Sequence, residues 1–268
     1  MQTNEEYLEI TTAIGCPVMC LEFCPQEVLI KNYHGKTRML TLENFKTALS
    51  HVPEGLPICF SGFSEPFAAK DTLKMIKYAY ELGHPILMFT TLFGLTKSEV
   101  NELVSLRYLE FRLHLPDGKI MKVPLTDDYK DNVFTVIQNV PNLTFSLMNN
   151  KFQSNYRERA VRGSFLSSKK KGYCYKHTTP QFVMLPNGDV QICCTDFGLW
   201  HKIGNLYSDN YMEIRKNYMG KHFRLCSTCR NNMPISTHVA AVLLKRILRL
   251  GGWSSRDLAA MYEHMARG

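Results

Sequence analysis

Three cysteines stand four positions apart in the stretch CPVMCLEFCPQ (16–26): Cys16, Cys20 and Cys24. Thiolates are soft ligands, so three on one short loop suit a soft metal or an iron–sulfur cluster. Structural zinc takes four protein ligands, and here no fourth cysteine stands close and the nearest histidine is His34. Three thiolates on a four-iron cluster leave one iron open, and an open metal position is a catalytic feature. A zinc loop completed by a distant ligand such as His34 is the structural alternative.

A second group lies far along the chain. Cys174, Cys226, Cys229 and one of Cys193 or Cys194 complete a four-thiolate shell, which either zinc or a closed iron–sulfur cluster would accept. Adjacent strand residues point to opposite faces, so Cys193 and Cys194 do not both reach one site. Such a site would tie together distant segments of a module too small to have its own core. Cys59, within PICFSG, reads as a core residue. Nine cysteines, an odd number bunched at short spacings with no secretion signal before them, read as ligands rather than as a disulfide framework.

The elements that position these groups alternate. YLEITTAI (7–14) reads as a strand and TLENFKTALSHV (41–52) as a helix opened by Thr41, with Asn44 three residues on. LPICFSG (56–62) is a buried strand, and AAKDTLKMIKYAYELG (68–83) a helix that Gly83 ends. The pattern continues as HPILMFTTL strand, TKSEVNELVSL helix, YLEFRLHL strand, DDYKDNVFTVIQNV helix and NLTFSLM strand. Strands separated by helices imply parallel βαβ units with right-handed crossovers, in a doubly wound sheet or a partial barrel. QFVMLPNGDVQICC (181–194) reads as a hairpin around Pro186, Asn187 and Gly188. A short helix NYMEIRKNYM, then CSTC (226–229) and an amphipathic helix STHVAAVLLKRILRL follow.

With 268 residues, 45% of them hydrophobic and 21% charged, the chain is an ordinary globular one that can bury a large core or a core plus a small module. Its net charge of +8 is spread out except in SSKKKG and LLKRILR, which read as a solvated loop and a helix face, so nucleic acid is not the expected partner. No apolar run approaches the roughly 20 residues that span a bilayer, and no signal peptide precedes the first motif, so a cytoplasmic protein without a membrane partner is expected.

The cysteine triplet in the loop after the first strand, with an aromatic residue before the third cysteine, resembles the radical S-adenosylmethionine (radical SAM) enzymes. The family spacing is CxxxCxxC; this chain has one residue more, Glu22, so its loop must bulge to keep the tripod. The resemblance implies a partial (β/α)6-type TIM barrel over 1–165, whose 4Fe-4S cluster on Cys16, Cys20 and Cys24 leaves one iron for S-adenosyl-L-methionine. An electron from the cluster then cleaves SAM to a 5'-deoxyadenosyl radical. Phe23 would stand near the adenine. FSGFSEP (60–66) resembles the family's glycine-rich turn that holds the methionine amino group: Gly62 lets the backbone approach, Ser64 lies within the turn, and Glu65 offers an acceptor. Thr90, Thr91 and His114, at the ends of later strands, and Arg159 or Arg162 in RERAVRG are further candidate SAM contacts, with strand-edge and loop positions as their structural alternatives.

Residues 173–229 resemble the SPASM or twitch extension of some radical SAM enzymes: a lone Cys174, the PNGDVQICC hairpin, GN, the YMEI helix start and a CxxC. This implies a cysteine-rich hairpin-plus-helix module over 166–235, followed by a C-terminal helix and tail over 236–268. It also implies a second, auxiliary 4Fe-4S cluster on Cys174, Cys193, Cys226 and Cys229, for electron transfer or structural support. Cys194, left over, is a candidate hydrogen donor to a substrate radical, or simply a small buried residue. The expected reaction is oxidation or epimerisation of a small molecule such as a sugar or aminocyclitol, with flavodoxin or ferredoxin as electron donor. The few residues before the first strand leave no room for a leader-binding domain, which favours that reading over a peptide maturase. A zinc-stabilised binding module without catalysis is the reading of another class.

Overall fold

The computed structural model describes residues 6–20, 24–148, 172–174, 176, 179–219, 221, 223, 225–226 and 233–234. The first half is the expected alternation: β1 (Tyr7–Ile10), α1 (Gln26–Asn32), α2 (Leu42–Leu49), β2 (Ile58–Phe60), α3 (Thr72–Glu81), β3 (Ile86–Thr90), α4 (Lys97–Val104), β4 (Glu110–Pro116), α5 (Asp127–Asn139) and β5 (Thr144–Met148). After it come β6 (Gly172–Tyr173), β7 (Gln181–Met184), β8 (Asp189–Gln191), β9 (Lys202–Asn205), α6 (Tyr211–Tyr218) and β10 (Met233–Pro234).

Local chemistry accounts for the helix starts. Thr41 Oγ1 accepts a hydrogen bond from the Asn44 amide at 3.2 Å, and Thr126 does the same for Tyr129 at 3.2 Å. At α4 the Thr96 side chain and the Glu99 carboxylate satisfy each other's amides, a capping box. Gly83, at φ +82°, lets the chain leave α3 in the left-handed conformation that a side chain disfavours.

An eight-stranded sheet runs β5-β4-β3-β2-β1-β7-β8-β9, and six neighbours, β5 through β7 in that order, are parallel. This run of parallel strands is the expected partial barrel. On the helix side, Leu8, Ile10, Ile58, Phe60, Ile86 and Met88 pack against Phe45, Met75, Ile76 and Val100. Each fully buried side chain of this size contributes about 1.5–3 kcal/mol. The other face carries Tyr7, Glu9, Cys59, Leu87, Phe89 and Glu110, so it is buried without being purely apolar.

Three features depart from the sequence expectation. β1 stops at Ile10 rather than Ile14, because Thr11 and Thr12 turn their hydroxyls to a neighbouring loop: Thr12 Oγ1 donates to the Pro66 carbonyl at 2.7 Å. α1 was not foreseen; it starts directly behind the third cysteine. The hairpin forms as expected, with Val183 opposite Gln191, but it is not a free-standing sheet. β7 lies parallel to β1 with Val183 beside Glu9, so the second half of the chain completes the barrel sheet along an edge of β1 that local pattern does not reveal. The proposed boundary at 165/166, the second half of CSTC and the last amphipathic helix lie outside the described residues. Among the described residues no helix is long and apolar enough to cross a membrane.

Candidate active site

The site begins with the turn after β2. Gly62 sits at φ +71°, and a Cβ there would come within 2.9 Å of Thr11 Cα, so only glycine lets β2's exit lie against β1's. The contact is stitched on both sides: the Gly62 amide donates to Glu9 Oε1 at 2.9 Å and the Phe63 amide to Thr11 Oγ1 at 3.1 Å. Ser64 Oγ accepts from the Ala13 amide at 3.3 Å, which binds the turn to the start of the cysteine loop.

Two of the three thiols receive N–H donors from this turn and from the helix that follows them. The Glu65 amide donates to Cys16 Sγ at 3.3 Å, and Gln26 Nε2 to Cys24 Sγ at 3.3 Å. Gln26 also reaches the Phe63 carbonyl at 2.5 Å, so α1 is clamped to the turn through its first residue. Donors aimed at sulfur are what ligating thiolates receive from their surroundings. Burial pushes the Cys16 thiol up to about 11 despite that amide donor.

Cys16, Cys20 and Cys24 line one open pocket of about 670 Å³, mouth included, together with Gly62, Ser64, Glu65, Thr91 and His114. The structure thus brings three cysteines and five of the candidate SAM contacts to one place, at the carboxyl ends of the parallel strands, where α/β folds carry their ligands. His34 is exposed and does not line the pocket. Among the described residues no three His, Cys, Asp or Glu side chains are arranged to hold a single metal ion. Thiolates on separate irons of one cluster need no such convergence.

Glu65 is 6% exposed, and its carboxylate faces β3. One oxygen accepts from the Thr90 hydroxyl, the other from the Thr91 amide at 2.9 Å and the Thr91 hydroxyl at 2.8 Å. Burial raises its pKa, and these donors offset part of the rise. Thr90 and Thr91 were expected near the SAM ribose or carboxylate; here both hydroxyls are spent on Glu65. Thr90 stands behind that carboxylate and is not among the residues that line the pocket. His114 lines the pocket beside Phe89, ring centroids 6.5 Å apart. Phe23, Arg159 and Arg162 lie outside the described residues.

Sequence reasoning missed Gln26 and Phe197. Gln26 stands two residues beyond the triplet, and a side-chain donor at the start of a helix would have been its signal. Phe197 comes from the second half of the chain and meets Phe63 edge-on at 4.7 Å, closing one wall of the pocket. Nothing local in TDFGLW marks it.

Three cysteines of the second group lie within electrostatic reach of Tyr218. Burial, and then the neighbouring Cys193, Cys226 and Cys174, push its phenol well above the ordinary value. Cys193 Sγ lies 2.8 Å from Thr195 Oγ1. Cys194 turns the other way: Lys176 Nζ donates to its sulfur at 3.6 Å, and it is within electrostatic reach of Tyr7, Cys59 and Cys174. Cys229 lies outside the described residues.

No protein-family model and no curated protein matches the sequence. Solved structures do match the fold. BtrN in complex with AdoMet and 2-DOIA superposes with a TM-score of 0.62 at 16% identity, covering 88% of this chain and 96% of that one. An open conformation of BtrN gives 0.53 at 15% identity, over 81% and 84%. anSMEcpe with bound AdoMet gives 0.52 at 13% identity, over 97% and 99%. The shared architecture is that of the radical SAM enzymes.

Proposed function

We propose that this chain, which has the radical SAM fold, is itself a radical SAM enzyme that takes hydrogen from a C–H bond of a small molecule. The observation that carries the reading is the single pocket in which Cys16, Cys20 and Cys24 meet the Gly62–Pro66 turn. These residues suit a 4Fe-4S cluster: three thiols face one space, and N–H donors already point at two of them. Together with SAM, such a cluster supplies a 5'-deoxyadenosyl radical.

The chain's own residues do the rest. Gly62 lets the turn lie against Thr11 at the pocket wall, where its backbone would meet the methionine moiety, Glu65 is held in place by Thr90 and Thr91 as an acceptor, and His114 and Phe89 also line the pocket. Phe23, Arg159 and Arg162 complete the SAM contacts in this reading. Cys174, Cys193, Cys226 and Cys229 hold an auxiliary 4Fe-4S cluster. In support, Cys193 packs against the apolar cluster that contains Tyr218, whereas Cys194 packs against another. Cys194, beside Lys176, is the candidate hydrogen donor. A dehydrogenation uses the auxiliary cluster as electron acceptor; an epimerisation uses Cys194. The fold match to BtrN, whose structure holds AdoMet and 2-DOIA, supports a small substrate. A flavodoxin- or ferredoxin-type donor in the cytoplasm supplies the electron.

The test is anaerobic reconstitution followed by iron and sulfide analysis and a SAM cleavage assay under reduction. Iron and sulfide for two clusters, with 5'-deoxyadenosine formed, support the proposal. Zinc alone, with no 5'-deoxyadenosine, refutes it in favour of a zinc-stabilised binding module.

A further inference from the structure

One layer beneath the cysteine pocket, the inner face of the sheet carries a row that no contact discussed so far explains. Strand register places Gln191, Val183, Glu9, Cys59, Leu87 and Glu110 side by side across β8, β7, β1, β2, β3 and β4. Paired residues in a sheet send their side chains to the same face, so these six form one layer inside the barrel. Three are polar, and all three are buried: Gln191 at 2%, Glu9 at 3% and Glu110 at 8% exposure.

Each is half satisfied. Glu9 Oε1 accepts from the Gly62 amide, and Glu110 Oε1 from Arg112 Nη2 at 2.6 Å. Among the described residues four buried side-chain oxygens have no hydrogen-bond partner: Glu9 Oε2, Glu110 Oε2 and Gln191 Oε1 in this row, and Gln26 Oε1 at the cysteine loop; no buried side-chain nitrogen is left without one. Cys59 pairs directly with Glu9 in the register, and Leu87 stands between it and Glu110. Arg112, which pairs with Glu110, also lies over the Phe89 ring at 4.8 Å. Phe89, two residues beyond Leu87 on β3, lines the cysteine pocket.

Burying an acceptor without a donor is costly, and three in one register row point to a ligand that brings the donors. We infer that Glu9, Glu110 and Gln191 form the substrate-recognition layer, and that the substrate is a polyhydroxylated, amine-bearing small molecule whose O–H and N–H groups donate to their three free oxygens. This rests on the radical SAM reading, which places the substrate within the barrel below SAM. An anionic substrate is disfavoured because it brings further acceptors to a layer already lacking donors.

Isothermal titration of the anaerobically reconstituted, SAM-loaded protein against glucosamine, myo-inositol, glucose, glucuronate and glucose 6-phosphate tests the inference. The amine-bearing member is expected to bind at least about tenfold more tightly than either anion, and Glu110→Gln and Gln191→Leu each to weaken that binding about tenfold. Preference for an anion, no binding by any member at millimolar concentration, or variants within about twofold of the parent each overturn it. Should Glu110→Gln not fold, as judged by its melting transition, Gln191→Leu carries the test. 5'-Deoxyadenosine formation by the parent protein under dithionite is scored separately. Its absence refutes the radical SAM reading, while the titration, which needs no reduction, still reports on the layer.

Discussion

Replacing Gly62 by alanine tests the close approach on which the candidate site rests. The residue sits at φ +71°, where a side chain costs about 1–2 kcal/mol. The new Cβ would also stand 2.9 Å from Thr11 Cα and 3.0 Å from Thr11 N. These are backbone atoms of a segment pinned by the Thr11 amide to the Met184 carbonyl at 2.9 Å, so they cannot swing aside as a side-chain tip would. Overpacking of this kind adds about 1–3 kcal/mol, for a total of about 2–5 kcal/mol. For a chain of this size that corresponds to a melting temperature lower by roughly 5–15 °C. Gly83→Ala is the control: its φ is +82°, but a Cβ there meets nothing within 4 Å, so it bears the conformational cost alone. The assay is urea denaturation and thermal melting of both variants under anaerobic conditions, with SAM binding by equilibrium dialysis. Gly62→Ala is expected to be the more destabilised and to bind SAM more weakly. If it is no worse than Gly83→Ala, the β2 exit does not press on β1 and the reasoning fails.

Thr91→Val removes one hydroxyl from a buried carboxylate and is expected to lower stability by about 1.5–3 kcal/mol in urea denaturation. Phe197→Ala deletes a ring that is 2% exposed and walls the pocket, with an expected loss of about 3–5 kcal/mol on the same assay. Burial raises the Glu65 pKa, so the folded protein keeps this proton over a range in which the unfolded chain has released it. Stability therefore falls as pH rises from the ordinary carboxylate value through the raised one, and urea midpoints from about pH 4 to about pH 8 should lose that slope in Glu65→Gln. Replacing Cys16, Cys20 and Cys24 by alanine is expected to remove one cluster's iron and all 5'-deoxyadenosine formation, while iron at the second group persists by elemental analysis and electron paramagnetic resonance.

Much of the frame is local and was readable as such. The caps at Thr41 and Thr96, the stop at Gly83 and the turn at Gly188 each follow from a few neighbouring residues whose backbone needs they meet. The cysteine spacing brought three thiols to one pocket for the same reason: three thiols within nine residues cannot lie far apart. What was not readable depends on which distant strands become neighbours. Period-two patterning says that Val183 and Glu9 each face inward, but not that β7 takes the edge of β1 and sets them side by side. Thr90 looked available until the fold set the Glu65 carboxylate against its hydroxyl. Glu9, Glu110 and Gln191 are 182 residues apart at the extremes, 191 less 9, and unremarkable in their own segments; only register gathers their three free oxygens into one layer. The sequence by itself determined most of the strands and helices and the closeness of the three thiols, because those answer to adjacent residues. Tertiary structure alone decided which polar groups are matched and which are left facing the interior, because hydrogen-bond satisfaction belongs to pairs and not to residues.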